Sequence, residues 1–182
     1  MSWKCRLGND WGRLGMMSNL SSLCTYAKGK VSVDTLSKQN YVSTENMLPN
    51  KGGIVDAGGL PSVQYVQQYI KGDILVSNIR PYFKKIWMAN EDGGCSNDVL
   101  VFRAAHGCDS TFLYYVLSND AFFNYASATS KGTKMPRGDK IAIMQYEVPC
   151  FDHETQLRIG KLLRSIDARI TVNKKINDNL AA

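Results

Sequence analysis

The chain reads as an α+β protein, a strongly curved β-sheet or small barrel followed by a long C-terminal helix. Three observations predict this. Short β-like apolar runs, separated by turns rich in Gly, Pro and Asp, fill most of the first 105 residues. Beyond Asp109 the apolar period changes to that of a helix. The last stretch, Glu154 to Leu180, contains no proline and returns its apolar residues every 3.5 positions.

The elements follow in order. Trp3 to Leu20 is mixed, with GND and WGRLG as turn signals, and admits a strand and a short helical piece. Lys30–Val33 and Val42–Met47 are short β-like runs, and Leu48–Gly53 and Asp56–Ser62 are loops. Ser62–Ile70 alternates as a strand. Gly72-Asp73 then turns into Ile74–Ser77, an apolar run of strand length. Lys85–Ala89 and Val99–Phe102 are further strands, and the turn signals of Glu91–Asp98 predict a hairpin between them. Asp109 or Ser110 can cap a helix running to about Ala126. Ile141–Pro149 reads as a strand, and Asp152 or His153 opens the final helix. The predicted division is residues 1–149 as one domain and residues 150–182 as a helical appendage.

Within the final helix, Ile159, Leu163, Ile166 and Ile170 step by four, three and four residues, and Asn173, Asn177 and Leu180 continue the rhythm. A stripe of that period fits a partner helix wound against it, because a face packed on a globular core drifts at 3.6 residues per turn. The alternative is a helix packed on its own domain with the asparagines in solvent.

A hydrophobic share of 44% and a charged share of 21% are ordinary for a folded protein, and a formal charge of +6 leans toward polyanionic partners. Five cysteines at irregular spacing, without a CxxC pair, predict free thiols in a reducing, cytoplasmic setting. Cys95, His106 and Cys108 could supply three zinc ligands, but no fourth is near in sequence, so no metal is expected. The residues show no apolar run of membrane-spanning length, no signal-peptide pattern and no nucleotide or methyl-donor cofactor motif. Acid–base options are thin with two histidines. A carboxylate–lysine nuclease site drawn from Asp73, Glu91 or Asp98 with Lys84 or Lys85 is the remaining catalytic arrangement.

Two basic segments carry the functional signal. Lys131–Lys140 reads KGTKMPRGDK, and Lys71–Lys85 reads KGDILVSNIRPYFKK. Their glycines and prolines place the cations on turns or strand ends, where a nucleic acid can reach them. Lys84, Lys85, Lys131, Lys134 and Lys140 are expected at phosphates. Arg80 and Arg137 could present paired donors to guanine and Asn78 to adenine, with Ser96, Asn97 and Thr133 as further polar readers. Tyr82 is an open candidate for stacking on bases, whereas Phe83 and Trp87 are expected in the core.

Several stretches together resemble the DNA specificity subunits of type I restriction-modification systems. They are YVSTENMLPNKGGI, KGDILVSNIRPYFKKIWMA, GGCSNDVLVFR and ATSKGTKMPRGDKIAI, and then a closing pattern carried by Pro149, Glu154, Gln156, Ile159, Leu162, Leu163 and Asp167. The resemblance implies a non-catalytic, cofactor-free subunit whose recognition domains each read half of a split site in double-stranded DNA. It implies long helices paired as an antiparallel coiled coil, and docking to methyltransferase subunits and, through them, to restriction subunits. This chain carries one recognition domain and one helix, so the resemblance implies a half subunit that dimerises through Ile159, Leu163, Ile166, Ile170, Asn173, Asn177 and Leu180.

Overall fold

The computed structural model describes residues 17–180. The part of the predicted N-terminal strand and helical piece that falls on residues 3–16, together with Cys5, lies outside them. The strands are β1 (Met17–Asn19), β2 (Cys24–Tyr26), β3 (Lys30–Ser32), β4 (Tyr41–Val42), β5 (Tyr65–Tyr69), β6 (Ile74–Ser77), β7 (Ile86–Met88), β8 (Gly93–Cys95), β9 (Val99–Ala104) and β10 (Glu147–Pro149). The helices are α1 (Ser110–Leu117), α2 (Asp120–Ala128), α3 (Lys140–Met144) and α4 (His153–Leu180).

An antiparallel sheet runs β2-β9-β6-β7, and a second sheet runs β3-β5-β8-β4 with its β4–β8 pair parallel. β1 and β10 form a separate antiparallel pair. Among the described residues the sheets stay open, so the fold is α+β and does not close there into the barrel offered as one form of the sequence reading.

The first sheet is covered on both faces. Ile74 and Val76 of β6 and Leu100 and Phe102 of β9 join Phe112, Leu113, Leu117, Phe122 and Phe123 of α1 and α2 in the main core. The alternate residues, Leu75, Val99 and Val101, pack with Tyr69 and Cys95 of the second sheet. Side chains alternate across a strand, so two buried faces require an unbroken apolar run. That is why ILVS and VLVF lack polar alternation.

Four sequence expectations are corrected. Gly93–Cys95 is not a hairpin turn between β7 and β9, since it is a strand of the second sheet and β6 lies between the other two. It reads as a turn because it is glycine-rich, but the glycines serve close packing. A Cβ on Gly94 would lie 2.5 Å from Leu36 Cδ1 and 2.6 Å from Val66 Cγ2. The helix expected to reach Ala126 is broken at Ser118-Asn119, where the Asn119 side chain accepts from the Ala121 amide and starts α2. Short polar side chains compete with the helical backbone in this way.

Likewise, the strand expected over Ile141–Pro149 begins as α3. The Asp139 carboxylate caps the Ile141 and Ala142 amides there, outweighing the β-branched composition. Phe83, expected in the core, is 40% exposed, and its ring packs on the exposed Tyr82 at 4.8 Å. Trp87 does pack against the inter-sheet cluster, edge-on to Tyr69.

Candidate nucleic-acid interface

The segments singled out in the sequence meet at one place. The Ile79 and Arg137 backbones form an antiparallel bridge, the Arg80 amide donates to the Pro136 carbonyl at 2.8 Å, and the Gly138 amide donates to the Asn78 carbonyl at 3.1 Å. The 131–138 loop is therefore fastened to the end of β6. The Asn78 amide also donates to the Asp98 carbonyl, and the Arg137 guanidinium donates to the Asp98 carboxylate at 3.1 and 3.2 Å, which brings in the 96–98 loop.

A fourth segment, Leu48–Gly53, joins from the other side. The Asn50 amide donates to the Phe83 carbonyl and the Lys51 amide to the Lys84 carbonyl, at 2.8 and 2.9 Å. Asn50, Lys51, Arg80 and Lys84 all have positive φ, between 49° and 62°. A non-glycine residue rarely takes that conformation, and four of them in two facing turns require the surrounding hydrogen bonds to hold them.

The side chains differ in how they are held. Lys84, Lys131 and Arg137 are tied to carboxylates: Lys84 to Asp120 at 2.9 Å, Lys131 to Asp139 at 2.6 Å, and Arg137 to Asp98. Lys85 donates to the Thr44 carbonyl at 2.6 Å and stands over the Phe83 ring. Arg80, Thr133, Lys134, Lys140 and Asn97 are exposed, and Tyr82 is 52% exposed. Ser96 is half-buried and accepts from the Asp98 amide. Asn78 is only 7% exposed, and its Oδ1 has no hydrogen-bond donor. Its carboxamide thus sits beneath the loop.

The sequence reading missed the carboxylates and Lys51. Lys51 and Lys84 donate to the two separate oxygens of Asp120, at 2.8 and 2.9 Å. Hydrogen bonds from Lys51, then from Lys84, hold the Asp120 carboxyl down at about 2. Lys131 first, and then the Ala142 and Ile141 amides, keep Asp139 below the usual carboxylate range. Asp120 is distant in sequence from both of its lysines, whereas Asp139 lies inside the second basic segment beside the lysine it binds. Beside the 96–98 loop, a groove of about 590 Å³ is lined by Ser43, Thr44, Glu45, Asp56, Ser96 and Asp98. The sequence had offered no sign of it.

Three members of the nuclease arrangement, Asp73, Asp98 and Lys84, are engaged by other partners. Asp73 is buried and bound by Arg103 at 2.7 and 2.9 Å, Asp98 faces Arg137, and Lys84 faces Asp120. Among the described residues no group of His, Cys, Asp and Glu could hold a metal ion. Cys95 belongs to the inter-sheet cluster, whereas Cys108 packs against the main core.

The final helix divides in two. Ile159 packs on the main core, and Leu163 lines a groove with Phe112, Tyr115 and Val116, so both stripe positions are turned onto the chain's own domain. Their residue neighbours Gln156 and Gly160 are buried there too. From Ile166 onward α4 projects. Ile166 and Ile170 are 45% and 47% exposed, Asn173 and Asn177 are exposed, and Ile176 adds apolar surface at 49%. The side chain of Leu180 lies outside the described residues.

Residues 16–182 match the family model of the type I restriction modification DNA specificity domain. The chain belongs to that family. The type I restriction enzyme EcoDI specificity subunit of Escherichia coli is 29% identical over 118 residues, which is 63% of this chain and 26% of that protein. Among solved structures, the HsdS subunit of Thermoanaerobacter tengcongensis superposes with a TM-score of 0.68 at 19% identity, covering 88% of this specificity domain and 44% of that chain. The type I restriction-modification S subunit of M. genitalium gives 0.59 at 18% identity, covering 97% and 47%. At such identities the superpositions speak for the fold. The chain spans about a quarter of the curated relative's length and under half of either solved subunit's. Among the described residues no helix is long and apolar enough to cross a membrane.

Proposed function

We propose that this chain reads one half of a split site in double-stranded DNA and pairs with a second copy of itself, acting as a half subunit without chemistry of its own. The observation that carries the reading is the fastening of the 131–138 loop to residues 78–80, which brings the C-terminal part of one basic segment against the other. Arg80 and Arg137 are the candidate guanine readers, and Asn97, Ser96 and Thr133 are secondary polar readers. Lys84, Lys85, Lys131, Lys134 and Lys140 contact phosphates, Asn78 acts from beneath the loop, and Tyr82 stacks at the edge. Residues 1–149 form the reader and residues 150–182 the spacer.

Pairing runs antiparallel along α4, over the exposed Ile166, Ile170, Asn173 and Asn177 and on to Leu180. Because Ile166, Ile170 and the adjacent Ile176 are apolar and solvent-facing, with Asn173 and Asn177 exposed beside them, a second copy can bury apolar surface while the asparagines fix the register. Two identical readers related by a two-fold axis then recognise an interrupted palindrome. Methyltransferase subunits dock on the paired spacers, and restriction subunits join through them.

The test is to express the chain with type I methyltransferase subunits in a host free of other modification and to sequence the methylated bases. An interrupted palindrome is expected. A continuous target, or an asymmetric one, would overturn the pairing of identical readers, and absence of any methylated motif would overturn the reading as a whole.

A further inference from the structure

Two ammonium groups converge on one carboxylate at the edge of the interface, and the fold holds all three partners in place. The Lys51 and Lys84 backbones are hydrogen-bonded to each other, and both lie in the left-handed region. Asp120 is the first residue of α2, which is anchored by Phe122 and Phe123 in the main core. Its side chain remains 58% exposed, and those of Lys51 and Lys84 are 35% and 28% exposed. Solvent, or a ligand arriving from solvent, therefore reaches the group. Asp120 cancels half of the positive charge that the two lysines would otherwise present.

We propose that Lys51 and Lys84 form a seat for a DNA phosphate, that Asp120 occupies this seat in the free protein, and that its displacement limits sequence-independent binding. The inference rests on the DNA-reading function proposed above and adds a contact, Lys51, and a specificity residue, Asp120. The chemistry is an exchange of anions. A phosphate oxygen replaces a carboxylate oxygen on each ammonium group, and Asp120 is rehydrated. An exposed ion pair is weak, so an incoming phosphate can displace it, but the exchange cancels most of what two unoccupied lysines would add. Non-target DNA offers phosphates alone and feels the loss most, whereas a target site adds base contacts that do not involve Asp120.

The experiment compares the full chain with Asp120→Asn, Lys51→Gln and the double variant, binding a labelled random-sequence duplex between 50 and 200 mM NaCl. Asn119 keeps its capping role in all of them. One freed phosphate contact should steepen the salt dependence of Asp120→Asn by about 0.9 in log–log slope, which is about 3.5-fold over that range. Asp120→Asn should therefore bind the random duplex more tightly than wild type at 50 mM, and adding Lys51→Gln should abolish the gain. An unchanged or shallower slope overturns the seat, as does a gain that survives Lys51→Gln, or no binding by either wild type or Asp120→Asn. Loss of the methylated motif in the co-expression experiment would instead overturn the DNA-reading function. The two failures are therefore separable.

Discussion

Replacing Gly93 by alanine tests whether Gly93–Cys95 is a packed strand or a hairpin turn. In an open turn at the backbone conformation of Gly93, whose φ is not positive, adding a methyl group changes stability by no more than about 1 kcal/mol. In the second sheet the added Cβ would stand 2.2 Å from the Asn40 carbonyl oxygen, 2.4 Å from the Tyr69 hydroxyl and 2.6 Å from Tyr69 Cζ. Neither neighbour can move cheaply. Tyr69 is fully buried, and the Asn40 carbonyl accepts from both the Tyr69 hydroxyl, at 2.9 Å, and the Gly94 amide, at 3.1 Å. Overpacking costs about 1–3 kcal/mol, and weakening one of those hydrogen bonds adds about 1. A loss of roughly 2–4 kcal/mol follows, which for a chain of this size lowers Tm by about 4–16 °C.

Thermal unfolding followed by circular dichroism measures the shift. Gly59→Ala is the control, because a Cβ there meets nothing within 4 Å. The strand also leads directly into Ser96–Asp98, so DNA binding by Gly93→Ala should weaken even well below its Tm. If Gly93→Ala and Gly59→Ala melted within 2 °C of each other, the packed-strand account would be wrong.

Other consequences can be measured separately. Burial pushes the Cys24, Cys95 and Cys108 thiols up to about 12, so at pH 8 they stay protonated in the native state. Iodoacetamide should then label these three only after denaturation, as read by peptide mass spectrometry. Asp120 is held at about 2 by Lys51 and Lys84, against an ordinary 3.8. A depressed carboxylate stabilises the fold above its unfolded pKa and loses that contribution as pH falls from about 4 to 2. Carboxyl NMR titration should place its midpoint near 2 in wild type, and higher in Lys51→Gln/Lys84→Gln. Arg137→Ala should relax base preference at one position of the target, with a loss of about 1–3 kcal/mol, whereas Lys134→Ala should weaken all sequences alike. Identical specificity profiles for these two would contradict the assignment of Arg137 to a base.

Local rules made part of this structure readable. Ile74–Ser77 and the onset of α4 were legible because a Gly-Asp turn and a capping Asp152 mark them, and the Asp152 carboxylate does accept from the Thr155 amide. The break at Asn119 and the start of α3 were marked by equally local caps, but the apolar residues around them suggested a longer helix and a strand. What stayed hidden was mostly non-local. Lys51 and Asp120 are 69 residues apart, and Arg137 and Asp98 are 39 apart. The basic loops were visible as composition, whereas the pairing of Lys51 and Lys84 with Asp120 and of Arg137 with Asp98 was visible only once the chain had folded. Phe83 was misplaced for the same reason. Its neighbours in the strand pattern point inward, but the left-handed turn at Arg80 and Lys84 rolls Tyr82 and Phe83 outward together.

In the proposed function α4 is a spacer. It can set the distance between two readers only if its direction is fixed relative to each of them, and α4 is fastened to its own domain on successive turns. The buried Gln156 donates from Nε2 to the Phe151 carbonyl and accepts at Oε1 from the Asp109 amide. Asp109 in turn caps α1 by accepting from the Phe112 amide, so one side chain couples the starts of both helices. Gly160 lets them cross closely, since a Cβ there would meet Asp109 Oδ1 at 3.0 Å and the Phe112 amide nitrogen at 3.2 Å. Farther along, the Tyr115 hydroxyl donates to the Asp167 carboxylate at 2.8 Å, and burial, then that carboxylate, push the hydroxyl's pKa up. Gln156 and Asp167 belong to the closing pattern that carried the family resemblance, and their roles here are mechanical. Beyond Asp167 the helix runs exposed as far as Asn179, about 18 Å at 1.5 Å per residue. A rod clamped over its first four turns and bare over the rest transmits the orientation of the reader to whatever binds the bare part, which is the property that a two-reader ruler requires.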